Sequence, residues 1–348
     1  MNRKLGFGVI RTGAITAKRA AAIEEVEGAE LVALCSSSEE RATLATEKFK
    51  VKTYADWSDF LNHPGLDVVC ICTGSGYHLE PAIEAAKKGK HLFIEKPIEI
   101  NLERADQLIR ACREIGVKLG VVYQNRFGED YIKLKQAVDD GKLGELFMGN
   151  AYINWFREEA YYSSSDWKGT LKGDGGGALI NQGIHTIDLL LDIMGDATSV
   201  YGQVKTVLYP IEGEDLGAAM VHFANGALGN ITAGTSLYPG YPERLEIYGS
   251  QGSVILPAGK IIHWNIKGEE DTVMEERGEA KGTSDPMAIG HQLHSAQYRD
   301  FVEAIWEERD PLVTGRTARK SLELIRGIYQ SSKSNAVIQL VKPDRFSS

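Results

Sequence analysis

Over its first ~125 residues the chain alternates between short apolar segments and longer amphipathic ones, and this alternation restricts the fold more than any other feature. Strand-like segments, most of them apolar, fall at 5–10, 30–35, 52–54, 67–73, 91–94 and 118–122. Between them, helical spacing predicts helices opening after Gly13 and at 39–49, 57–61, 79–88 and 102–115. The run from Val68 to Cys72 holds no polar residue, whereas a strand with one wet face alternates. It therefore reads as buried on both sides. Such strands, joined by helices, build a parallel doubly wound α/β sheet whose crossovers cover both faces.

Past residue 125 the rhythm changes. Helices are expected at 130–139 and 178–194, with an alternating strand at 147–156. Closely spaced strands then follow at 198–208, 216–223, 227–235, 244–248, 253–257 and 260–266, before closing helices at 296–308 and 318–331. This is the pattern of an α+β domain with a large open, mixed or antiparallel sheet. For 348 residues two domains are expected, placed by the change of rhythm at 1–125 and 126–348. The charged stretch 268–285 reads as a surface loop.

Composition removes several classes of function. With 43% hydrophobic and 25% charged residues the chain is too apolar for disorder, and a net charge of −9 argues against a nucleic-acid surface. No apolar run reaches the ~18 residues of a membrane span. Arg3 and Lys4 precede an apolar stretch cut short by Arg11, so no secretory signal is expected. Cys35, Cys70, Cys72 and Cys112 read as small core residues of a cytoplasmic protein, and no histidine pair has metal-ligand spacing.

A strand, a glycine turn and a helix start meet at Arg11-Thr12-Gly13-Ala14-Ile15-Thr16, the arrangement that offers helix N–H groups to a phosphate. Only Gly13 of a three-glycine pattern is kept, and Arg11 stands where the first glycine belongs. A plain strand-to-helix turn is the competing reading. The second strand ends in Cys35-Ser36-Ser37-Ser38-Glu39-Glu40-Arg41, with no acid at the strand end to bind a ribose 2′-hydroxyl. Ser36, Ser37 and Arg41 form a cradle for a 2′-phosphate instead; alternatively, Ser38 caps the helix and Arg41 is solvated.

Thr73-Gly74-Ser75-Gly76-Tyr77-His78 follows the buried strand, Glu95-Lys96-Pro97 the next, and Gln124-Asn125-Arg126-Phe127 the last. With Trp167-Lys168-Gly169-Thr170, the run from Gly175 through Asn181, Gln182 and His185 to Asp188, and Leu245-Glu246-Ile247-Tyr248-Gly249, the chain resembles the Gfo/Idh/MocA oxidoreductases (glucose–fructose oxidoreductase, inositol dehydrogenase, rhizopine catabolism). The resemblance covers almost the whole chain. It implies an N-terminal Rossmann domain, and a C-terminal domain whose open sheet supports a homodimer or homotetramer. It also implies hydride transfer between a nicotinamide dinucleotide and a secondary alcohol of a sugar, cyclitol or nucleotide-sugar.

Two departures bear on substrate and coenzyme. Asn181 and Gln182 stand where inositol dehydrogenase-like members carry an Asp four residues before the His. This Asn-Gln version, with Tyr161-Tyr162, is similar to members that oxidise nucleotide-linked amino-sugar uronates. The Ser-rich strand end instead looks like NADPH-dependent anhydrofructose reductases. NADP is favoured as cofactor, with NAD the alternative.

Lys96 and His185 are the expected catalytic pair, approaching the nicotinamide from opposite domains, with Asn181 sharing the face of His185. Thr12, Gly13, Ala14, Ile15, Ser36, Ser37, Arg41, Thr73, Gly74, His78, Glu95, Lys96 and Asn125 are expected around the dinucleotide. Arg157, Tyr161, Trp167, Lys168, Asn181 and Gln182 are expected around the substrate. A non-catalytic sugar or dinucleotide sensor and an NAD-dependent glycosidase are the competing functions.

Overall fold

The computed structural model describes residues 3–269, 272–273 and 290–340. The chain divides into two compact units, Met1–Gln124 with Gly290–Arg319, and Asn125–Ile289 with Lys320–Ser348.

In the first unit β1 (Leu5–Ile10), β2 (Ala29–Cys35), β3 (Lys52–Tyr54), β4 (Leu66–Ile71), β5 (His91–Ile94) and β6 (Leu119–Val121) form one sheet. Its order is β3-β2-β1-β4-β5-β6, with every pair parallel. Helices α1 (Ala14–Glu24), α2 (Glu39–Phe49), α3 (Trp57–Phe60), α4 (Leu79–Lys87) and α5 (Leu102–Ile115) make the crossovers. The sequence dictates these locally. In α5, Asn101 accepts the Arg104 N–H at 2.9 Å, Gly116 ends the helix at φ 81°, and Ala105, Leu108, Ile109 and Cys112 bury one face. Strand order reverses between β1 and β4, so the turns after those strands, at Arg11–Gly13 and Thr73–Gly74, lie where open α/β sheets bind ligands.

The division expected at residue 125 misses one segment. Helix α9 (Gln292–Trp306) belongs to the first unit, because Tyr298, Phe301 and Val302 complete its core with Phe7, Val9, Phe93 and Val122. The Tyr298 ring lies 4.6 Å from Phe93 and 5.6 Å from Phe7, the latter edge-on, and Gln297 donates to the Val121 carbonyl at 2.7 Å. The four cysteines are buried. Loss of solvation pushes the thiols of Cys35, Cys70 and Cys112 up to about 12, which suits filler rather than reagents.

The second unit holds a nine-stranded sheet built from β7 (Leu146–Asn154), β8 (Ala197–Lys205), β9 (Leu216–Phe223), β10 (Leu228–Gly234), β11 (Arg244–Gly249), β12 (Gly252–Pro257), β13 (His263–Ile266), β14 (Thr272–Val273) and β15 (Ile338–Gln339). The order is β14-β13-β12-β11-β7-β10-β9-β8-β15; β7 and β10 run parallel and the other pairs antiparallel. Strand β9 shows the alternation plainly: Gly217, Ala219, Val221 and Phe223 face inward, while Ala218, Met220 and His222 are exposed. Helices α6 (Glu129–Asp139), α7 (Glu159–Ser163), α8 (Ile184–Met194) and most of α10 (Gly315–Ser334) accompany the sheet, with α8 against β7.

Two expectations are corrected. The strand expected from 260 begins at His263, because Lys260 closes a turn on the Pro257 carbonyl. The helix expected over 178–194 opens with a π-helical turn, Ala178–Gly183, before α8. The surface loop expected over 268–285 falls largely outside the described residues. No helix among the described residues is long and apolar enough to cross a membrane.

Candidate active site

The candidate residues fall in two groups, one in each unit. At the first, β1 leads into Arg11, whose φ of 82° is the left-handed conformation that costs a side chain with Cβ roughly 1–2 kcal/mol. The turn holds because Arg11 N–H donates to the Cys35 carbonyl at 2.8 Å. Thr16 Oγ1 bridges it, donating to the Arg11 carbonyl at 3.0 Å and accepting Gly13 N–H at 2.9 Å. Gly13 caps α1, and a Cβ added there would meet no atom within 4 Å. That open space before the helix N-terminus fits a pyrophosphate, which Thr12, Gly13, Ala14 and Ile15 would cradle.

Arg11 is thus a handicap built into the turn. Arg11→Gly is expected to raise the unfolding midpoint and tighten dinucleotide binding severalfold by calorimetry, as φ strain and a bulky side chain are removed together. Weaker binding in that variant would make Arg11 a phosphate ligand.

Beside the turn, Ser36 is buried, and its hydroxyl pairs with Thr12 Oγ1 at 2.6 Å, so it braces the loop against β2. Ser38 caps α2 through the Arg41 N–H. Ser37 and Arg41 stay exposed, with Arg41 Nη1 donating to Ser37 Oγ at 3.3 Å. Of the expected cradle Ser36, Ser37 and Arg41, Ser37 and Arg41 are exposed and Ser36 is tied to Thr12.

Lys96 follows β5, half-buried, ahead of a cis Pro97. Its neighbour Glu95 is gripped by Arg19 of α1, whose Nε donates to Glu95 Oε1 at 2.6 Å; Arg19 itself is 2% exposed. His78 is fully buried between the carbonyls of Thr73 and Ile98, and loss of solvation lowers its pKa. Thr73 Oγ1 donates to the Tyr77 carbonyl at 2.9 Å. Glu95 and His78 therefore act as architecture that shapes the Gly74 and Lys96 turns. Asn125 falls in the second unit, where its carbonyl accepts Gly128 N–H.

In the second unit the π-turn presents Asn181 and Gln182, and α8 presents His185 one turn later. Glu214 anchors this start, its two carboxylate oxygens accepting Gly177 N–H at 2.9 Å and Leu179 N–H at 2.8 Å. Burial pushes its carboxyl up to about 7 against the pull of those donors. A Cβ at Gly177 would run into the Glu214 backbone, which is why glycine precedes the turn.

Gln182 Oε1 accepts from Arg157 Nη2 at 3.1 Å, and Gln182 Nε2 donates to Tyr161 OH at 2.5 Å and to Asn181 Oδ1 at 3.2 Å. Arg157, 2% exposed, lies over the Trp155 and Tyr161 rings, so it organises the cluster from beneath rather than from a wet surface. Lys168 sits 4.1 Å over the Tyr161 ring and donates to Ser164 Oγ. Burial lowers the Lys168 pKa, with Asp174 opposing. Trp167 is half-buried, its carbonyl accepting from Thr170.

The residue sequence reasoning missed is Asp174. Fully buried, it takes the Asn181 amide on both carboxylate oxygens, at 2.6 and 2.8 Å. A glycine-rich stretch hid it. Among the described residues no His, Cys, Asp and Glu cluster could hold a metal.

A parallel sheet with its glycine turn at the switch point, and a histidine-bearing helix on an open mixed sheet, define the class of two-domain dinucleotide-dependent oxidoreductases. Residues 5–123 match the family model described as oxidoreductase family, NAD-binding Rossmann fold, and residues 131–255 match the GFO/IDH/MocA C-terminal domain. The chain belongs to the Gfo/Idh/MocA family of oxidoreductases. It is similar to the WlbA dehydrogenase of Bordetella pertussis, solved with NADH and UDP-GlcNAcA, at 30% identity and TM-score 0.86, covering 98% of this chain and 100% of that one. It is 26% identical to the Bacillus subtilis scyllo-inositol 2-dehydrogenase (NAD(+)), over 97% of this chain and 95% of the relative. The scyllo-inositol 2-dehydrogenase (NADP(+)) IolW of Bacillus subtilis is also 26% identical, over 81% of each chain. The protein is an NAD-type dinucleotide-binding oxidoreductase of the sugar and cyclitol dehydrogenase kind.

Proposed function

We propose that the chain oxidises a secondary alcohol of a nucleotide-linked sugar uronate, with NADP(H) preferred over NAD(H). The observation that carries the substrate is the Arg157–Gln182–Tyr161–Lys168 cluster beside Asn181, cationic and aromatic together, which suits an anionic sugar. The full-length likeness to a dehydrogenase holding UDP-GlcNAcA supports the same class. The coenzyme preference rests on the missing acid at the end of β2 and on the exposed Ser37–Arg41 pair.

A bound nicotinamide supplies hydride chemistry. The chain's own part is proton and charge management. His185 takes the hydroxyl proton, and Lys96 acts as a hydrogen-bond donor that stabilises developing negative charge. Asn181 orients, without sharing a proton. Tyr161 and Lys168 position the sugar, backed by Arg157 and Gln182.

The test is a matrix of both coenzymes against UDP-GlcNAcA, myo-inositol and scyllo-inositol, read by reduced-coenzyme absorbance. UDP-GlcNAcA with NADP+ is expected to give the highest kcat/KM, by at least ~10-fold, as a site built to pair an anion rejects neutral rings. Turnover confined to the inositols overturns the substrate, and tighter NAD(H) binding overturns the coenzyme. A homodimer or homotetramer would form on the sheet face that exposes Tyr201, Met220 and Leu228. Sedimentation as a monomer at micromolar concentration would remove that assembly.

A further inference from the structure

We infer that Asp174 is a positioning residue for the reaction, supplying from the neighbouring loop the negative charge that Asn181 itself lacks. This rests on the dehydrogenase reading above. Asp174 is 1% exposed, and Asn181 Nδ2 donates to both its oxygens. Gly169 N–H gives Asp174 Oδ2 a further bond at 3.0 Å. A buried carboxylate is tolerated only with such donors, and here two of the contacts come from the residue one turn before His185.

The charge fixes which way the amides point. An anion at one end can only be met by the Asn181 NH2, which turns Asn181 Oδ1 toward Gln182 Nε2. At the other end the Arg157 guanidinium can only be met by Gln182 Oε1, which turns Gln182 Nε2 onto Asn181 and the Tyr161 hydroxyl. Asp174 and Arg157 are thus opposite charges holding two carboxamides in one polarity. With its oxygen accepting from Gln182, Tyr161 has its proton directed elsewhere, as a donor to substrate oxygen. Hydrogen bonds in such a chain polarise one another, so the Asp174 charge is felt at Asn181, Gln182 and Tyr161 alike.

A plain loop staple is the competing role, since Asp174 N–H also closes on the Thr170 carbonyl at 3.0 Å. Moving the carboxylate separates the two. Asp174→Asn preserves shape but lets Asn181 flip, and should lower kcat ~10- to 100-fold, the cost of one charge-assisted hydrogen bond, with dinucleotide affinity unchanged. The double variant Asp174→Asn/Asn181→Asp exchanges the two ends of the bond and returns a carboxylate to the helix. It should recover kcat to within a few-fold of wild type, whereas a plain loop staple, kept in Asp174→Asn by the backbone bond to Thr170, predicts no fall in the single variant to recover from. A kcat within twofold of wild type in Asp174→Asn, or no recovery in the double variant, overturns the proposal. If Asp174→Asn fails to fold, the double variant alone decides: folded with near wild-type kcat supports it, folded with kcat down tenfold or more overturns it.

Absence of turnover in the wild type with every sugar would count against the dehydrogenase reading. The Asp174–Asn181 link is then read by NMR, where the Asn181 side-chain amide proton should lie downfield and move upfield in Asp174→Asn. An unmoved resonance overturns the proposal.

Discussion

Lys96→Ala and His185→Ala are each expected to lower kcat by at least ~10²-fold, the lower end for a general acid–base group, while dinucleotide affinity stays nearly unchanged. Both side chains are half-buried, one past the end of β5 and one on the first turn of α8. Neutral imidazole is the form that can accept the hydroxyl proton. Single-turnover reduction of coenzyme, with the Kd of the coenzyme measured separately, decides the matter. Survival of turnover within a factor of a few would strike that residue from the mechanism. Survival in both variants would show that the proton acceptor and the charge-stabilising donor lie elsewhere in the chain.

The second large effect is on stability. Behind His185, α8 turns Asp188 and Asp192 toward Arg126, which follows Asn125 in the Gln-Asn-Arg-Phe turn. Arg126 reaches Asp188 through two bonds, at 2.7 and 2.9 Å, and Asp192 through one at 2.6 Å. Tyr131 OH of α6 donates to Asp192 and Ser321 Oγ of α10 to Asp188. The Arg126 and Asp188 side chains are 5% and 1% exposed. Arg126→Met leaves a buried carboxylate uncompensated, so a loss of about 3–5 kcal/mol is expected in urea unfolding. Arg126→Met with Asp188→Leu should recover a good part of it, because the cost lies in the orphaned charge. A loss under 1 kcal/mol in the single variant would show that water or a rearranged partner takes the place of the guanidinium.

What the sequence disclosed, and what it hid, follows the range of the interactions involved. The doubly wound sheet was readable because its signals are local: caps at Asn101 and Gly116, apolar spacing at 105, 108, 109 and 112, and an apolar run from Val68 through the end of β4 to Cys72. Asn181 and His185, four residues apart in the sequence, fall on the π-turn and on the first turn of α8. Asp174 was not readable. An acid in a glycine-rich loop has no periodicity, and only the folded chain sets it on the Asn181 amide. Ser36 was misread for a related reason, since a hydroxyl at a strand end cannot announce that Thr12 will claim it. The destination of α9 was equally hidden, because an apolar stripe says what a helix must cover and not which core it will cover.

That last point bears on how the protein is made. The segment completing the first sheet's core leaves the ribosome about 165 residues after Gln124, since it begins at Gly290. At roughly 5–20 residues per second, that is a delay on the order of ten seconds or more. Throughout it, Phe7 and Phe93 lack their partners Tyr298 and Phe301. The half that carries the parallel sheet is therefore translated first, but its core closes only when Tyr298 and Phe301 arrive.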